Sequence, residues 1–455
     1  MLTGADTILG GHLIMDLVKR FFKFVVPSIV SMWIFSLYTM VDGIFVAWGV
    51  GEVALRAVNL SMPFTSFIFM VGILLATGTS TVISIALGQK DLERARGYFN
   101  QNLAVTGAVS LLLTVLVLFN LDTVAHFLGA TPDTLGYVKE YVGTIAVFAV
   151  FFTVSYNLEV QVKANGAPHI STVGVISCSL MNVVLDAVFV LVFHWGVWGA
   201  AFATGLAQVT STAVFTGYFL THRERLRFQP FRWELSAYRR ILPLGLSEGL
   251  NELSNGLVIF LFNHVILRVI GENGLTPYTI ISYVNTLVLM TMTGIAQGIQ
   301  PLVSFHLGAK ERSVCHRLLR YGITLALTLS VVFFFLVEIG DGAIVGFFLE
   351  HESPMFSYSI SALGLYAFSF LPMGLNVVTA AFFTAVERPA FALSISFGRS
   401  LVLMAVSLLT LSALFGDTGI WLSTLCSELL CLLLTAACSL AYRRGLKRCP
   451  ESKPT

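Results

Sequence analysis

Two matching stretches of sequence decide the fold of this chain: Ser84-Ile-Ala-Leu-Gly88-Gln-Lys90 and Ser304-Phe-His-Leu-Gly308-Ala-Lys310. They lie 220 positions apart and share serine, leucine, glycine and lysine at equivalent places. Two further pairs repeat this offset within one residue: Pro168 with Pro389, and Gly199 with Gly419. The pattern predicts an internal duplication, in which the second half of the chain repeats the first.

The composition indicates a membrane protein. Of 455 residues, 56% are apolar and 11% are charged, whereas soluble domains carry about 25% charged residues. This balance excludes an ordinary soluble enzyme, six cysteines are too few for a disulfide scaffold, and a net charge of +2 gives no sign of nucleic-acid binding. Nearly uncharged runs such as 64–87 and 170–220 reach the roughly 20 residues that cross a bilayer. The sequence therefore predicts an all-α polytopic membrane protein.

Apolar runs between polar breaks predict twelve transmembrane helices, at 21–46, 55–87, 102–120, 138–160, 169–193, 199–220, 241–268, 277–306, 319–339, 358–386, 391–415 and 418–440. With the N-terminus inside, 23 of the 27 Lys and Arg residues fall on the cytoplasmic side, as the positive-inside rule requires. The four exceptions are Arg56, Lys139, Arg268 and Arg399. We therefore expect a multi-pass protein of the plasma (inner) membrane with both termini in the cytoplasm.

The duplication divides the chain into two lobes. We predict an N-terminal six-helix lobe at 1–220, a cytoplasmic basic linker at 221–240, a C-terminal six-helix lobe at 241–440 and a cytoplasmic tail at 441–455. Because six is even, both lobes insert with the same orientation, so the repeat is parallel. Two such lobes enclose a cleft and predict a transporter, although duplication in a structural or receptor protein remains the alternative.

No catalytic machinery is predicted. The sequence has no phosphate-binding loop, so transport would draw on an ion gradient or a partner. Gly245-Leu-Ser247-Glu-Gly249 matches the Gly-x-Ser-x-Gly pattern, but it lies within a predicted helix, whereas that chemistry needs a strand-turn-helix context. No His or Cys cluster has metal-ligand spacing. We expect a protein that is not an enzyme, with no cofactor beyond H⁺ or Na⁺ as the coupling ion.

Acids within the predicted membrane spans are the candidate functional residues, because a charged side chain at the bilayer centre costs at least about 2.5–3.5 kcal/mol. They are Asp42, Glu159, Asp186, Glu248, Glu252 and Glu428.

Depth along the helices brings one group of these residues together. At about 1.5 Å per residue, Asp42 and Asp186 both reach the outer half of the N-terminal lobe. Asn182 lies one turn from Asp186, and Thr204 on helix 6 returns to the same level. Two carboxylates in low dielectric cannot both ionise easily, so they would share a proton, or all four side chains would bind Na⁺. The alternative is that the acids only bridge helices 1 and 5.

Helix 7 carries a second group on one face: Glu248, Glu252 and Asn255. These residues would present negative charge to a cationic substrate in the cleft, or would instead pair with Arg399 in helix 11. Met290 and Met292 in helix 8 suit an adaptable substrate surface.

The remaining two acids have simpler predicted partners. Glu159 is expected to form an interfacial ion pair with Lys163, and Glu428 has Arg399 as one possible partner.

Five segments of the chain match the pattern of a known family: Tyr38-Thr-Met-Val-Asp42, Gly88-Gln-Lys90, Asn182-Val-Val-Leu-Asp186, Gly196-Val-Trp-Gly199-Ala-Ala-Phe-Ala-Thr204 and Leu242-Pro243. On these segments the chain resembles the multidrug and toxic compound extrusion (MATE) transporters over nearly its full length. It implies a twelve-helix, two-lobe antiporter that exports organic cations in exchange for H⁺ or Na⁺. In the branch with an N-lobe cation site, the matching residues are Asp42, Asn182, Asp186 and Thr204.

The second half departs from the family in one respect. Another branch uses an acid in helix 10, but Leu371-Pro-Met-Gly-Leu-Asn376-Val-Val-Thr379 contains none. The resemblance therefore implies no C-lobe Na⁺ site of that kind, and Asn376 is a candidate contact for substrate.

Two rival transporter classes fit the sequence less well. A lipid-linked saccharide flippase of the same superfamily would carry basic residues within its cleft, and Arg399 is the only basic residue that lies away from the ends of a predicted span. A major-facilitator transporter would carry Gly-x-x-x-Asp-Arg/Lys-x-Gly after helix 2, where this chain reads Gly88-Gln-Lys-Asp-Leu-Glu-Arg94. We therefore interpret the chain as a MATE-type antiporter. Its expected partners are small organic molecules and the lipid bilayer, and we expect a monomer.

Overall fold

A computed structural model describes residues 4–448, with side chains described over 15–445 except at 43, 46–48 and 52. Within this part of the chain the structure is helical and contains no strand. The α-helices are α1 (Gly4–Val50), α2 (Glu52–Gly88), α3 (Leu92–Phe119), α4 (Leu121–Phe127), α5 (Leu135–Ala164), α6 (Pro168–Asp186), α7 (Gly196–Thr221), α8 (Tyr238–Val269), α9 (Leu275–Gly308), α10 (Arg312–Phe348), α11 (Phe356–Ala367), α12 (Phe370–Ala385), α13 (Pro389–Phe397) and α14 (Leu403–Arg448). The last residues of the predicted tail, from 449 onward, lie outside the described residues.

Each predicted membrane span has a helix at its place. Nine helices of the described part are long and apolar enough to cross a bilayer, and α11 with α12, bent by 42°, forms a tenth span. α14 contains the second part of the eleventh predicted span and all of the twelfth, and a non-helical residue, Gly416 (φ 61°, ψ −132°), separates the two. α7 has 26 residues at the sixth predicted position and is not among these helices.

Helix ends depart from the prediction where a local cap or bend intervenes. α3 begins ten residues before the predicted span because Asp91 caps it: the Asp91 carboxylate accepts a hydrogen bond from the Arg94 backbone N–H at 3.0 Å. Spans 5 and 11 each contain a π-helical segment, at Ala187–Val192 and Gly398–Val402. The first of these follows Asp186 directly, and such segments occur frequently at functional sites.

The backbone repeats its left-handed residues between the two halves. Four pairs with positive φ are related by 220 or 221 positions: Gly51 and Gly271 (φ 94° and 89°), Lys90 and Lys310 (64° and 62°), Gly166 and Glu387 (96° and 56°), and Gly196 and Gly416 (63° and 61°). Positive φ is uncommon outside glycine. Its recurrence at equivalent helix ends confirms the predicted duplication.

The two halves pack through each other's helix ends. The largest apolar core joins α9 to α14 with Phe21 and Val25 from the first half of α1. In return, Ile241 and Leu244 of α8 pack with α2, α3, α5 and α7. The described lobes therefore share an extended interface formed by α1, α2, α8 and α9.

The predicted basic linker is held against the N-terminal half. Arg96 Nε donates to the Arg225 carbonyl at 2.7 Å, and Asn100 Nδ2 donates to the Arg227 carbonyl at 2.9 Å. At the far end, the Glu234 backbone N–H donates to Gln101 Oε1 at 2.7 Å. These bonds fix the path of the chain between α7 and α8.

Candidate transport cavity and cation site

The lobes meet at one end through glycine residues. A Cβ on Gly88 would lie 1.9 Å from the Phe305 carbonyl oxygen, and a Cβ on Gly308 would lie 2.1 Å from that of Ile85. Equivalent close approaches place Gly78 against Ile241, Gly298 against Val25, Gly245 against Leu74, and Gly294 against Ile29. We call these six glycines the glycine seam. Only glycine permits such backbone contact, so the interface is closed at this end.

A cavity of about 340 Å³ lies between the lobes, which is within the range of small-molecule sites. The N-terminal half contributes an aromatic wall from Phe35, Tyr38 and Phe69. The C-terminal half contributes Glu248, Asn251, Glu252, Asn255, Leu289, Met290, Thr293 and Gln297. The N-terminal half also contributes Glu159 and polar side chains such as Gln208 and Ser211. The cavity therefore combines an aromatic wall with two acids on α8.

Four of the six predicted substrate contacts line this cavity: Glu248, Glu252, Asn255 and Met290. Met292 does not, because two residues further along a helix turn the side chain by about 200°, and it is fully buried in the C-terminal core. Asn376 is also fully buried and away from the cavity. Its Nδ2 donates to Glu428 Oε2 at 2.8 Å, and its Oδ1 accepts from Thr435 at 2.9 Å.

Arg399 pairs with Glu428 and not with Glu248. The distance between Arg399 Nη1 and Glu428 Oε1 is 2.8 Å, and both side chains are nearly buried. Glu248 and Arg399 do line the same small cavity of about 40 Å³, but no ion pair joins them among the described residues. The partner suggested for Glu428 is therefore confirmed, whereas Glu248 interacts with Arg399 electrostatically without forming an ion pair.

Glu159 and Lys163 form the predicted ion pair, at 2.9 Å. The pair is buried within the protein and does not lie at the membrane surface, where it was expected. Lys163 Nζ also donates to Gln297 Oε1 of the other half at 2.9 Å, and Ser171 donates to Glu159 Oε1 at 2.9 Å. The pair therefore lies at the lobe interface, and Glu159 also lines the cavity. Sequence reasoning missed Gln297 because a contact between halves leaves no periodic signal.

The four predicted cation-site residues lie together in the N-terminal half. Asn182 Nδ2 lies 3.4 Å from Thr204 Oγ1. Asp42 is within hydrogen-bonding reach of Asp186 and Asn182. Asn182 and Asp186 are fully buried, whereas Asp42 is partly buried. The structure therefore brings together the four side chains that the depth arithmetic set at one level.

The buried oxygens of this cluster lack donors. Asp186 Oδ1, Asp186 Oδ2 and Asn182 Oδ1 have no hydrogen-bond partner in the described part of the protein. Two carboxylates offer acceptors only, so Asp42 and Asp186 can bond to each other only through a proton. A buried acceptor without a donor costs about 1–3 kcal/mol. A proton or an oxygen-coordinated cation such as Na⁺ would satisfy these atoms, and the residues present fit either ion.

Two tyrosines belong to the same neighbourhood. Tyr38 and Tyr141 both lie close enough to Asp42 and Asp186 to interact electrostatically with them. Tyr38 was part of the motif that carries the family resemblance, whereas Tyr141 was missed. The position of Tyr141 near the outer end of the fourth predicted span could have indicated that it lies close to the level of Asp42 and Asp186.

We call the four candidate cation-site residues, Asp42, Asn182, Asp186 and Thr204, the cation cluster. This cluster lies one helical turn from the cavity wall. Tyr38, Cys178 and Gln208 line the cavity, and each is four residues from a cluster member: Asp42, Asn182 and Thr204, respectively. Four residues span about 6 Å of helix. A change in the cluster therefore acts on helices that also form the cavity.

Duplicated helical lobes, closed at one end and enclosing a cavity with buried acids beside it, define a polytopic membrane transport protein. The MatE family model matches residues 27–188 and 250–409, and the chain belongs to this family, the MATE transporters. It is accordingly a multi-pass membrane protein and not an enzyme.

Known proteins similar to this chain include two multidrug export proteins named MepA. The one from Staphylococcus saprophyticus is 24% identical over 419 residues, covering 91% of this chain and 92% of the relative. The one from Staphylococcus aureus is 24% identical over 432 residues, with the same coverage.

Solved structures share the fold. A MATE in complex with MaL6 has a TM-score of 0.90 at 22% identity, covering 94% of this chain and 97% of that one. An outward-facing multidrug resistance MATE transporter of the MOP superfamily has a TM-score of 0.89 at 22% identity, covering 94% and 96%. Such structures have twelve helices in two lobes, which confirms the predicted architecture.

A further structure shows what fold similarity leaves open. A MOP superfamily transporter from Pyrococcus furiosus has a TM-score of 0.86 at 21% identity, covering 95% of this chain and 97% of that one, and is described as having a binding pocket of reverse polarity that suggests a different function. The charges of the cavity, rather than the fold, must therefore carry any argument about substrate.

Proposed function

We propose that this protein is a secondary active antiporter that exports organic, lipophilic cationic compounds in exchange for H⁺ or Na⁺. The proposal is carried by the buried oxygens of Asp186 and Asn182 beside Asp42, which have no hydrogen-bond partner among the described residues. The names of the MepA relatives support the export of drugs. The acidic and aromatic walls of the cavity suit cations with flat apolar bodies.

In this mechanism Asp42 and Asp186 hold the coupling cation. For a proton, one carboxyl donates its O–H to the other carboxylate, which removes the repulsion between two buried charges. For Na⁺, the oxygens of Asn182 and Thr204 add neutral ligands to the two carboxylates. Release of the cation leaves both acids charged and without donors. The repulsion between the two charged acids favours a different packing of α1, α6 and α7, which also form the cavity wall.

Alternating access would separate the lobes at the glycine seam. We place the seam on the cytoplasmic side of the plasma membrane, together with both termini, because Lys90, Lys310 and the Arg-rich linker lie at this end. The cavity described above then faces outward, and the seam must open to admit substrate from the cytoplasm.

The flippase alternative is disfavoured by the charges of the cavity region. Glu159, Glu248, Glu252 and Glu428 outnumber Lys163 and Arg399, so the region repels the pyrophosphate or phosphate of a lipid-linked saccharide. Its two basic groups are already engaged in ion pairs.

Reconstituted liposomes test the proposal. Liposomes would be prepared with the wild type, with Asp42→Asn or with a control, Asp133→Asn. Each preparation would be loaded with a fluorescent lipophilic cation, and a proton gradient or a Na⁺ gradient would be imposed separately. Asp133 is an exposed acid between α4 and α5, so its substitution removes a charge away from the cluster. We expect one gradient to drive efflux in the wild type and in Asp133→Asn, but not in Asp42→Asn. Absence of efflux under both gradients in correctly folded wild type would overturn the drug-antiporter function.

A further inference from the structure

Four acidic or basic side chains line the cavity or the small cavity that shares Glu248 with it: Glu159, Glu248, Glu252 and Arg399. Lys163 and Glu428 are the ion-pair partners of two of them. Two ion pairs engage four of these groups. Lys163 is 2.9 Å from Glu159, and Arg399 is 2.8 Å from Glu428. Glu248 and Glu252 remain without an ion pair or a hydrogen-bond donor among the described residues.

The two uncompensated acids form one surface. Both lie on α8, four residues apart, so their Cβ atoms are about 5–6 Å apart on the same helix face. Both line the 340 Å³ cavity and are partly exposed within it. Arg399 shares the small cavity with Glu248, but a single guanidinium bonded to Glu428 cannot also neutralise Glu248. The acidic wall therefore presents two negative charges in succession along α8.

The other wall provides the complement to an apolar body. Phe35 makes edge-to-face contacts with Tyr38 and Phe69, at ring-centroid distances of 5.2 Å and 6.3 Å. All three rings line the cavity. Aromatic faces bind apolar groups and cations together. A ligand between this wall and α8 would place its apolar body against the rings and its cationic groups at the two acids of α8.

We propose that the cavity selects organic dications, with one cationic centre at Glu248 and the other at Glu252. The inference rests on the proposed export function and names the substrate class of the same cavity. A dication neutralises both acids at once. A monocation leaves one carboxylate uncompensated beside the other, so that acid must take up a proton or a second cation. Dications are therefore favoured at neutral pH.

Binding to purified protein in detergent tests this selectivity without any gradient. The probes are bis(trimethylammonium)alkanes with spacers of about three to ten methylenes, compared with mono(trimethylammonium)alkanes of equal length. Their charges are permanent, so probe titration plays no part. We expect the best bis compound to bind at least about tenfold tighter than its mono counterpart, with an optimum at intermediate spacer length. Equal affinities across the series would overturn the proposal.

Variants assign the preference to the two acids. Glu248→Gln and Glu252→Gln should each remove the advantage of the bis compound, while the mono compound retains its affinity within a factor of about three. The matched control is Glu338→Gln, an exposed acid on α10, which should leave the preference intact. Survival of the bis preference in both cavity variants would contradict the assignment.

The outcomes separate this inference from the proposed function. Gradient-driven efflux without a bis preference would overturn the dication site alone. A bis preference in detergent without any gradient-driven efflux would support the dication site and overturn the antiporter. If a Gln variant fails to fold, the spacer series on the wild-type protein still decides.

Discussion

Gly88 of α2 and Gly308 of α9 make the same contact in opposite directions across the lobe interface. Gly88 abuts the Phe305 carbonyl and Gly308 abuts the Ile85 carbonyl, so both glycines and both carbonyl residues are related by the internal repeat. The duplication detected in the sequence is therefore also the pseudo-symmetry of the closed end. Any side chain at either glycine would hold the lobes apart.

The first prediction concerns this seam. Gly88→Leu should favour the state in which the lobes are separated at this end, because overpacking a closed interface costs about 1–3 kcal/mol. Ser84 is fully buried beside the seam. In a cysteine-free background and in inside-out membrane vesicles, whose cytoplasmic face is accessible, a Ser84→Cys reporter should react with a membrane-impermeant maleimide about tenfold faster when Gly88→Leu is present.

The matched control for the seam is Gly107→Leu. Gly107 is also helical, but nothing lies within 4 Å of the position of its Cβ. Reporter labelling should stay at the wild-type rate in this variant. Equal labelling rates in the two leucine variants would show that the seam does not set the closed state.

The second prediction concerns the buried pair at the lobe interface. Lys163→Met should destabilise the protein by about 3–5 kcal/mol, because it leaves the Glu159 carboxylate buried without its cation. Adding Glu159→Gln should restore most of this loss, since the amide is neutral. Denaturation of the purified single and double variants measures both effects. A double variant as unstable as Lys163→Met would mean that lost packing, not the orphaned charge, dominates.

The third prediction introduces a pH dependence into the C-terminal core. Asn376 Nδ2 donates to Glu428 Oε2 at 2.8 Å, and in Asn376→Asp the ionised carboxylate has no hydrogen to donate. We expect Asn376→Asp to lower the free energy of unfolding by about 1–3 kcal/mol or more at pH 8. The loss should be smaller at pH 5, because the introduced carboxyl is more often protonated there and can donate its O–H.

Thermal unfolding of Asn376→Asp and Asn376→Ala at both pH values checks this expectation. The alanine variant loses the donor without adding a titrating group, so its loss should change little with pH. A loss in Asn376→Asp that is the same at pH 5 and pH 8 would refute the explanation.

The fold and the cation cluster were predictable because they follow from regular repeats. The 220-residue offset fixed two lobes, and a constant rise per residue set Asp42, Asp186 and Thr204 at one depth. These inferences need only helix geometry and the thickness of a bilayer. The structure brings the same residues together.

Specific contacts between side chains on helices that are far apart in the sequence could not be predicted. Arg399 had two candidate acids, and only the three-dimensional packing decides for Glu428 over Glu248. Met292 was assigned to the cavity with Met290, although a spacing of two residues turns a helical side chain to the opposite face. The bond from Lys163 to Gln297 joins the two halves, so no pattern within either half reveals it.

The central claim is that Asp42 and Asp186 hold the cation that is exchanged for substrate. The most direct measurement is ion release when an organic cation is added to purified protein, followed with a pH indicator in weak buffer and, separately, with radioactive Na⁺. We predict release of H⁺ or Na⁺ from the wild type and from Asp133→Asn, and none from Asp42→Asn or Asp186→Asn. Undiminished release from both cluster variants, or ligand binding to the wild type without release of either ion, would contradict the account.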